Sequence, residues 1–481
     1  MDEENALFCT SKGWVDANVI WAFDRTHRLL CGLPSKSDHQ VVIQPFLTML
    51  MHDMIQKNSA SKTNSMEIES EHGLSPANTK PDMMPLRWHQ RWIRQRYSRL
   101  FRQVPDYLGM IVRDADGEHA LGNPHGNLCA SMNIHDPAVY RMIALQGSLG
   151  ACEAYLQGLW STPDLVKTLT FFSQIFDTVN TLDTGVAWFA TMLGKMAARF
   201  RRNSRTGSKK NIAAHYDLSN EFFALFLDPS MMYSSACYDA PDVSLEEASQ
   251  AKLRKLCRKL QLESSDHLLE IGTGWGGFAL HATRHHGCRV TTTTISKNQH
   301  DYVQQEFQKA SLGNQITLLQ QDYRDLRGHY DKIVSIEMIE AVGKDFLVDY
   351  FRCCNQLLKP GGRFIIQAIV IPEQRYDIYA RSVDFIQTYI FPGCFLPSIA
   401  SMQQAVGECT SLRMVGLQDC TPSYVLTLRE WRRRFHLKLD VVRQLGFDER
   451  FIRMWDFYLA SCEAVFHERA AGLVQIEWVK V

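Results

Sequence analysis

The sequence has no excess of charge of either sign, because 52 lysines and arginines balance 52 aspartates and glutamates. Without a global positive field, its overall charge gives no argument for nucleic acid as a partner. Its 13 cysteines are scattered and include no Cys-x-x-Cys pair. We therefore expect reduced thiols in the cytosol rather than a disulfide framework, and we expect no metal site.

From the sequence we expect neither a signal peptide at the start nor a run long enough to span a membrane near it. The first residues, Met1–Glu4, are acidic, whereas a signal peptide begins with a basic segment. The longest apolar stretch near the start, residues 41–51, contains Gln44 and Pro45 and is too short to span a bilayer. Any membrane contact is therefore expected to be peripheral, at the inner, cytoplasmic surface.

What the chain does have is the length and composition of a multidomain globular protein. Its 481 residues are too many for one core, and 45% of them are apolar. We predict a poorly defined extension and linker at 1–84, with a disordered part at 53–84 rich in Ser, Asn, Lys, Glu and Pro. A small α/β domain follows at 85–198, then a basic linker at 199–210 and a larger α/β domain at 211–481.

The most informative stretch is Leu268–Phe278, an apolar run that leads into a glycine-rich turn and then into a helical pattern. Glycines let the backbone approach a ligand closely, and the helix N-terminus behind them suits an anionic group. A dinucleotide fold would place an acidic residue about 20 positions further on. Residues 290–299 contain none. The pattern therefore favours S-adenosylmethionine over NAD as the ligand of this turn.

The larger domain alternates predicted strands and helices, which indicates a doubly wound, mostly parallel sheet. Ligands of such sheets bind outside the carboxyl ends of the strands. A last strand is predicted at 474–481 from its apolar–polar alternation. The other strands are predicted at 267–271, 289–295, 315–319, 331–336 and 363–370, and the helices at 246–260, 276–285, 297–310 and 344–358.

The smaller domain begins with a basic, aromatic segment at 86–102, in which six arginines and two tryptophans occur without an acid. Helical spacing of Trp88, Trp92 and Phe101 predicts an amphipathic helix. It either lies at an anionic bilayer surface or is a solvated helix whose tryptophans pack on their own domain. Further on, we predict a strand at 107–113, a hairpin turn at 114–117, and a helix opened by Asp136 and Pro137 and broken at 147–150.

Many short motifs in one order give the chain a resemblance to a known family. It resembles cyclopropane fatty acyl phospholipid synthase and the mycolic acid cyclopropane synthases over about residues 85–481. That resemblance implies a class I methyltransferase sheet with a smaller, lipid-associated N-terminal domain. The motifs are His215-Tyr216-Asp217, Asp228-Pro229, Tyr233-Ser234-Ser235-Ala236, Gly272-Thr273-Gly274-Trp275-Gly276-Gly277, Gln321-Asp322-Tyr323-Arg324-Asp325, Ser335-Ile336-Glu337-Met338-Ile339-Glu340, Tyr389-Ile390-Phe391-Pro392-Gly393, Leu396-Pro397-Ser398 and Cys462.

The resemblance implies that a methylene group passes from S-adenosylmethionine to the cis double bond of an unsaturated phospholipid acyl chain, giving a cyclopropane. The reaction needs rigid positioning of the donor, stabilisation of a carbocation, a base and exclusion of water. The partner would be phospholipid at a membrane surface, with no nucleic acid, and a homodimer is left open. By the same resemblance, the cofactor is bound by Tyr233, Ser234, Glu270, Gly272, Gly274, Gly276, Thr294, Ser296, Gln299, Asp322 and Tyr323.

In the bacterial enzymes of this family a bound bicarbonate serves as the base. By resemblance its cage is formed here by Ser235, Glu340, Gln367, Ile369 and Tyr424. Ser235 stands where a cysteine is usual and Gln367 where some members have histidine. Glu340 follows a buried strand at the carboxyl edge of the sheet, which favours a catalytic role over a surface one, and Glu337 is its rival. Cys462 matches a cysteine marked in the family as a possible active-site residue, although its chemistry favours an inert, buried thiol.

Two alternatives stay open at the level of the sequence. One is a fatty acid methyltransferase that methylates the same alkene and loses a different proton, giving a methylene- or methyl-branched chain. The other is a lipid-binding protein that kept the fold and lost catalysis. The intact glycine turn, Glu340 and Tyr424 argue against the second.

Overall fold

The chain divides into two compact units, residues 1–79 and 80–481. In the first unit, strands β1 (Leu7–Thr10) and β2 (Gly13–Asp16) form an antiparallel hairpin. The linker predicted at 53–84 and the basic cluster at 199–210 lie outside the described residues, apart from Met84. The computed structural model describes residues 7–10, 13–16, 84–100, 104–180 and 218–481.

The second unit begins with a small four-stranded sheet in the order β4-β3-β5-β6. Strand β3 pairs in parallel with β5, and the outer strands are antiparallel to their neighbours. The predicted hairpin turn at 114–117 connects β3 to β4. The elements are α1 (Trp88–Leu100), β3 (Leu108–Asp114), β4 (Gly117–Gly122), β5 (Leu128–Ile134), α2 (Ala138–Leu156), β6 (Trp160–Ser161) and α3 (Leu165–Asn180).

Helix α2 differs from its prediction at its start and agrees with it at its break. It begins one residue later than expected, although the Asp136 side chain still accepts a hydrogen bond from the Ala138 N–H at 2.7 Å. The predicted break at 147–150 is confirmed, because Gly147 adopts a non-helical conformation with φ 57° and ψ −132°. A glycine tolerates this conformation, so two helical segments meet there at a kink.

The large sheet has seven strands in the order β12-β13-β11-β10-β7-β8-β9. The five strands from β7 to β11 pair in parallel, and the last strand is antiparallel to both of its neighbours. This confirms the doubly wound, mostly parallel sheet. The strands are β7 (His267–Ile271), β8 (Arg289–Thr294), β9 (Ile316–Gln320), β10 (Tyr330–Ile336), β11 (Leu358–Val370), β12 (Leu412–Asp419) and β13 (Gly472–Lys480).

Both faces of the central strands are covered, so successive residues are apolar instead of alternating with polar ones. Leu268 packs with the helices on one face, and its neighbour Leu269 packs with those on the other. Strand β12 was not predicted, because it lies at the edge of the sheet and most of its side chains are exposed. The remaining helices are α4 (Asn220–Ala224), α5 (Leu245–Leu260), α6 (Gly277–His286), α7 (Lys297–Lys309), α8 (Leu347–Leu357), α9 (Glu373–Tyr379), α10 (Ile399–Cys409), α11 (Thr421–Leu437), α12 (Leu439–Gln444) and α13 (Glu449–His467).

Helix α13 joins the small sheet's helices to the rest of the unit. Glu153 of α2 accepts hydrogen bonds from Tyr389 and Arg450, and the Tyr155 hydroxyl donates to Asp456 at 3.3 Å. Beside these polar contacts, one large apolar cluster includes residues of α2, α3, α11 and α13. The domain boundaries proposed at 85–198 and 211–481 stay a prediction.

Candidate active site

A cavity of about 590 Å³ lies at the carboxyl ends of strands β7, β8, β10 and β11. One part of its wall is the glycine turn and the turns that follow the neighbouring strands. Another part is apolar and comes from α2, α3 and α13, through residues such as Leu149, Phe172 and Val465. The cavity therefore joins a polar site at the sheet edge to an apolar compartment built by α2, α3 and α13.

The glycine turn after β7 is held by hydrogen bonds to the end of the adjacent strand. The N–H groups of Gly272 and Thr273 both donate to the Thr293 carbonyl, at 3.1 and 2.9 Å. Gly272 has φ 97°, and a Cβ there would lie 3.0 Å from Met338. Gly274 has φ 54°, and a Cβ there would meet no atom within 4 Å. The turn thus presents bare backbone to the cavity, which is what a closely bound nucleoside ligand requires.

Most residues that the resemblance assigns to S-adenosylmethionine lie in the wall of this cavity. The two exceptions are Gly276 and Ser296, which do not line the cavity. Ser296 instead caps α7, because its side chain accepts a hydrogen bond from the Gln299 N–H. The lining members are Tyr233, Ser234, Glu270, Gly272, Gly274, Thr294, Gln299, Asp322 and Tyr323. The buried Thr273 hydroxyl, also in the wall, has no hydrogen-bond partner among the described residues. The open space at Gly274 and this hydroxyl fit the methyl donor.

Two of these residues are fixed by their neighbours. Asp322 accepts two hydrogen bonds from the Arg324 guanidinium, and that guanidinium lies 5.4 Å from the centroid of the Tyr323 ring. Glu270 is 2% exposed and accepts a hydrogen bond from the Thr292 hydroxyl at 2.6 Å. Burial raises the pKa of Glu270 to about 8. Its carboxyl is therefore mostly protonated at neutral pH when no ligand is bound.

The carboxylate that collects the hydrogen-bond donors of the site is Glu337. Its Oε1 accepts from the Ser235 backbone N–H at 2.8 Å and from the Gln367 amide at 2.7 Å. Its Oε2 accepts from the Tyr424 hydroxyl at 2.8 Å. The Gln367 amide is itself oriented, because its Oε1 accepts from Gln475. Sequence reasoning placed Glu337 second, and the structure gives it three of the donors expected around a bicarbonate.

Glu340 lies one turn further on and has different surroundings. Its Oε1 accepts a hydrogen bond from the Ile369 N–H at 2.6 Å, whereas its buried Oε2 has no partner within the described part of the chain. Burial, and then the charge of Glu337, raise the pKa of Glu340 to about 8. Glu340 is therefore the member of the pair that holds a proton at neutral pH.

Bicarbonate does not fit the cage that the resemblance implies. Ser235, Gln367 and Tyr424 already donate to Glu337, and Ile369 donates to Glu340. Moreover, Ser235 and Gln367 are fully buried and do not line the cavity, whereas Glu337 does. A free anion would have to displace the side chain of Glu337 to reach these donors.

Lys252 was not singled out from the sequence. Its ammonium group is fully buried and donates to the Ser234 hydroxyl at 2.7 Å and to the Ser234 carbonyl at 3.3 Å. Burial lowers the pKa of Lys252, and its charge in turn lowers that of Glu337, opposing the rise that burial causes there. The sequence did contain a signal that Lys252 is unusual, because this residue interrupts the apolar stripe of α5 formed by Leu245, Leu256 and their neighbours.

Cys462 and Tyr424 both line the cavity from the helices that pack over the sheet. Burial raises the pKa of the Cys462 thiol well above its usual range, so it is not a thiolate at neutral pH. Burial also raises the pKa of Tyr424, which keeps its hydroxyl proton available for Glu337. Across the cavity wall, the hydroxyls of Tyr233 and Tyr458 lie 3.0 Å apart.

The strand order and the glycine turn after the first parallel strand define a methyltransferase of class I that uses S-adenosylmethionine. A model of the family described as mycolic acid cyclopropane synthetase matches residues 203–476. The chain belongs to this family. It is 36% identical over 393 residues to the tuberculostearic acid methyltransferase UfaA1 of Mycobacterium tuberculosis (strain ATCC 25618 / H37Rv), which covers 80% of this chain and 90% of that protein.

Two further comparisons agree with the family. The cyclopropane-fatty-acyl-phospholipid synthase of Escherichia coli (strain K12) is 33% identical over 353 residues, covering 73% of this chain and 88% of that protein. The crystal structure of mycolic acid cyclopropane synthase CmaA1 complexed with SAH and CTAB superposes with a TM-score of 0.54 at 30% identity. That match covers 56% of this chain and 98% of the other.

The described residues contain neither a membrane-spanning helix nor a metal-binding cluster. No helix in the described ranges is long and apolar enough to cross a membrane. In the same part of the chain, no group of three or more His, Cys, Asp and Glu side chains is arranged to hold a metal ion.

Proposed function

We propose that the enzyme adds a methylene group, derived from S-adenosylmethionine, across the cis double bond of an unsaturated phospholipid acyl chain, forming a cyclopropane. The observation that carries the proposal is a continuous cavity that connects the glycine turn to the apolar walls of α2, α3 and α13. A small polar acceptor would not need such an apolar compartment, whereas an acyl chain would be buried by it.

Bound S-adenosylmethionine would supply an electrophilic methyl group, held by the turn at 272–274 and by Asp322 and Tyr323. The chain's own residues meet the other demands of the reaction. Apolar side chains such as Ile369 and Phe391 line the cavity and keep water from a cationic acyl chain. The rings of Tyr233 and Tyr458 also line the cavity, where aromatic rings would stabilise positive charge.

A second candidate product is a methylene- or methyl-branched chain. The relative of 36% identity, which this chain covers to 90% of its length, is named as a methyltransferase and not as a cyclopropane synthase. Both products start from the same methylated cation. They differ in which proton leaves, and therefore in where the base stands relative to the charge.

Access to phospholipid at the cytoplasmic membrane surface would be through α1. Trp88 is 71% and Trp92 45% exposed, so these rings do not pack into the core of their own domain. Several arginines surround them, and the Arg96 guanidinium lies 5.6 Å from the Trp92 ring centroid. Exposed tryptophans beside basic groups are typical of peripheral contact with an anionic bilayer.

The test is to incubate the protein with vesicles of unsaturated phospholipid and S-adenosylmethionine and to analyse the fatty acids by mass. We expect a gain of one CH₂ per converted chain, and high-field cyclopropane proton resonances. Vinylidene or methyl-branch signals in place of the ring signals would establish the second candidate. An unchanged mass would overturn both enzymatic proposals, and vesicle binding without any gain would indicate a non-catalytic lipid-binding protein.

A further inference from the structure

We propose that the carboxylate of Glu337 is the base that removes the proton from the methylated acyl chain, in place of an external bicarbonate ion. This inference deepens the proposed function and rests on it. Glu337 supplies from within the chain the O–C–O group that bicarbonate would bring from solution. The enzyme would consequently be independent of bicarbonate.

The first observation is the set of hydrogen bonds around Glu337. Both donors to its Oε1, the Ser235 N–H and the Gln367 amide, are held in place by the fold, as is the Tyr424 hydroxyl at Oε2. Three donors to one carboxylate favour its ionised form, since an ionised carboxylate only accepts. These donors are the same residues that the family resemblance assigns to a bicarbonate cage, so one anionic O–C–O group already satisfies them.

The second observation is the position of Glu337 between the buried donors and the cavity. Ser235 and Gln367 are inaccessible from the cavity, and Glu337 lines it. The backbone of Glu337 has φ 47°, a left-handed conformation that is unfavourable for a non-glycine residue. Its N–H donates to the Gln367 carbonyl at 2.7 Å. Strain of this kind is typically maintained where a side chain must be aimed at a site.

The third observation is the division of charge between two neighbouring carboxyl groups. Glu340 has one donor and an unpaired, buried oxygen, whereas Glu337 has three donors and the nearby charge of Lys252. A like-charged neighbour disfavours ionisation of both groups at once. The negative charge therefore belongs on Glu337 and the proton on Glu340, which leaves Glu337 as the free base.

The proton transfer balances without any further reactant. A C–H bond of the added methyl group breaks, and its electron pair forms the third ring bond to the cationic carbon. The proton goes to a carboxylate oxygen of Glu337, which becomes neutral. Proton loss to solvent after product release restores the ionised carboxylate. For a methyl-branched product, the proton leaves the methylated chain carbon, and its C–H electron pair forms a double bond to the cationic carbon. For a methylene-branched product, a hydride first shifts from the methylated carbon to the cationic carbon, and the electron pair of a methyl C–H bond then forms the double bond. In both cases the carboxylate of Glu337 accepts the proton.

The decisive experiment measures methylation of unsaturated phospholipid vesicles in buffer freed of CO₂, with and without added bicarbonate. We expect wild-type rates that agree within about twofold, because no external base is needed. For Glu337→Gln we expect a loss of at least about 100-fold in kcat, the usual contribution of a general base. The matched control is Glu263→Gln, an exposed residue outside the cavity, which should retain full activity.

A second variant, Glu337→Gly, converts the prediction into a gain of function. Glycine suits the left-handed backbone and leaves the three donors facing an open space. We expect this variant to be inactive in CO₂-free buffer and to recover activity with added bicarbonate or formate. The shift of ¹³C-labelled bicarbonate on binding should be seen with this variant and not with wild type. Melting curves and S-adenosylmethionine titrations of each variant separate loss of the base from loss of the fold.

The outcomes distinguish this inference from the proposed function beneath it. A wild-type enzyme that makes product only with bicarbonate would refute the inference and leave the proposed function intact, as would a fully active Glu337→Gln. If neither bicarbonate nor formate restores activity to a Glu337→Gly variant that folds and binds S-adenosylmethionine, the inference is also refuted. If wild type makes no product under any condition, the proposed function itself fails.

Discussion

At the scale of single residues, the site is governed by how many donors each buried carboxyl group receives. Glu337 accepts three hydrogen bonds, whereas Glu270 and Glu340 accept one each. All three lie at the carboxyl ends of parallel strands, where burial opposes ionisation. Burial raises the pKa of Glu337 as well, but three donors and the charge of Lys252 oppose that rise, against one donor each at Glu270 and Glu340. Neighbouring groups of one residue type can therefore hold different protonation states.

The protonation of Glu270 predicts how stability depends on pH. Its pKa rises from an ordinary 4.5 to about 8 on folding, so between these values the folded state binds more protons than the unfolded state. The free energy of unfolding should therefore fall as the pH rises from 5 to 8. Glu270→Gln should flatten this slope, measured by urea unfolding at several pH values without ligand. Replacement of the exposed Glu263 with Gln should leave the slope unchanged. If Glu270→Gln showed the same slope of unfolding free energy against pH as the wild type, the prediction would be wrong.

Lys252 is expected to act on the reaction through Glu337. Replacing it with methionine removes a buried charge that lowers the pKa of Glu337, so the base is protonated up to a higher pH. The acid limb of the pH profile of kcat/KM should then move to higher pH, with activity at pH 7 several-fold lower and largely restored at alkaline pH. Glu340 and Tyr424 also face Glu337 and are unchanged by this substitution.

The matched control for this prediction is Lys255→Met on the same helix. Lys255 forms an ion pair with Asp239 at the surface, so its replacement should leave the pH profile of kcat/KM unchanged. If Lys252→Met lowered activity equally at every pH, Lys252 would have only a structural role in holding Ser234.

At the scale of elements, α1 forms ion pairs with its own domain and also exposes two tryptophans to solvent. Arg91 and Arg94 form ion pairs with Asp116 and Asp114 at the β3–β4 hairpin, which ties the helix to the small sheet. Trp88 and Trp92 remain largely exposed. Part of the basic face therefore holds the helix to its own domain, and the two tryptophans remain available for contact with another surface.

Removal of these tryptophans should weaken membrane binding and leave the fold intact. We expect Trp88→Ala with Trp92→Ala to reduce binding to anionic vesicles by roughly tenfold or more, since burying a large apolar side chain is worth about 1.5–3 kcal/mol. Cosedimentation with vesicles measures this effect, and the melting temperature should hardly change. Leu437→Ala, equally exposed on α11, is the control. Undiminished binding of the double variant would exclude α1 as the contact.

At the scale of the whole molecule, the site belongs to residues 80–481. Every residue that lines the cavity falls between Ser148 and Ala471, within the second compact unit. A chain that begins at Lys80 should therefore bind S-adenosylmethionine and methylate phospholipid as the full chain does. A chain that begins at Leu165 loses α2 and the strands of the small sheet, and with them one wall of the cavity.

The truncated chains are compared by melting temperature, cofactor titration and product mass. We expect the Lys80 chain to match the full chain within experimental error. The Leu165 chain should aggregate or lose acyl methylation, because apolar surface of α3 and α13 is exposed to solvent. Loss of activity in the Lys80 chain would show that residues 1–79 contribute to the reaction.

The sequence by itself was sufficient for the parallel strands, for the glycine turn and for membership of the family. Buried parallel strands are continuous apolar runs of a few residues, and the turn needs glycine at defined positions, so both signals are local. The predicted strand at 267–271 agrees with the structure at both ends, and four others agree within one residue at their start or end. The edge strand β12 and the start of β11 were missed because they lack such a pattern.

Only the tertiary structure decided which carboxylate carries the charge. Glu337 and Glu340 are three residues apart and follow the same strand, and sequence reasoning preferred Glu340, with Glu337 as its rival. The donors to Glu337 come from Ser235, Gln367 and Tyr424, which are separated from it by 102, 30 and 87 positions. Hydrogen bonds over such distances along the chain exist only once the sheet and its helices are assembled. The identity of the base is therefore a property of the fold, whereas the place of the methyl donor was already encoded by one short turn.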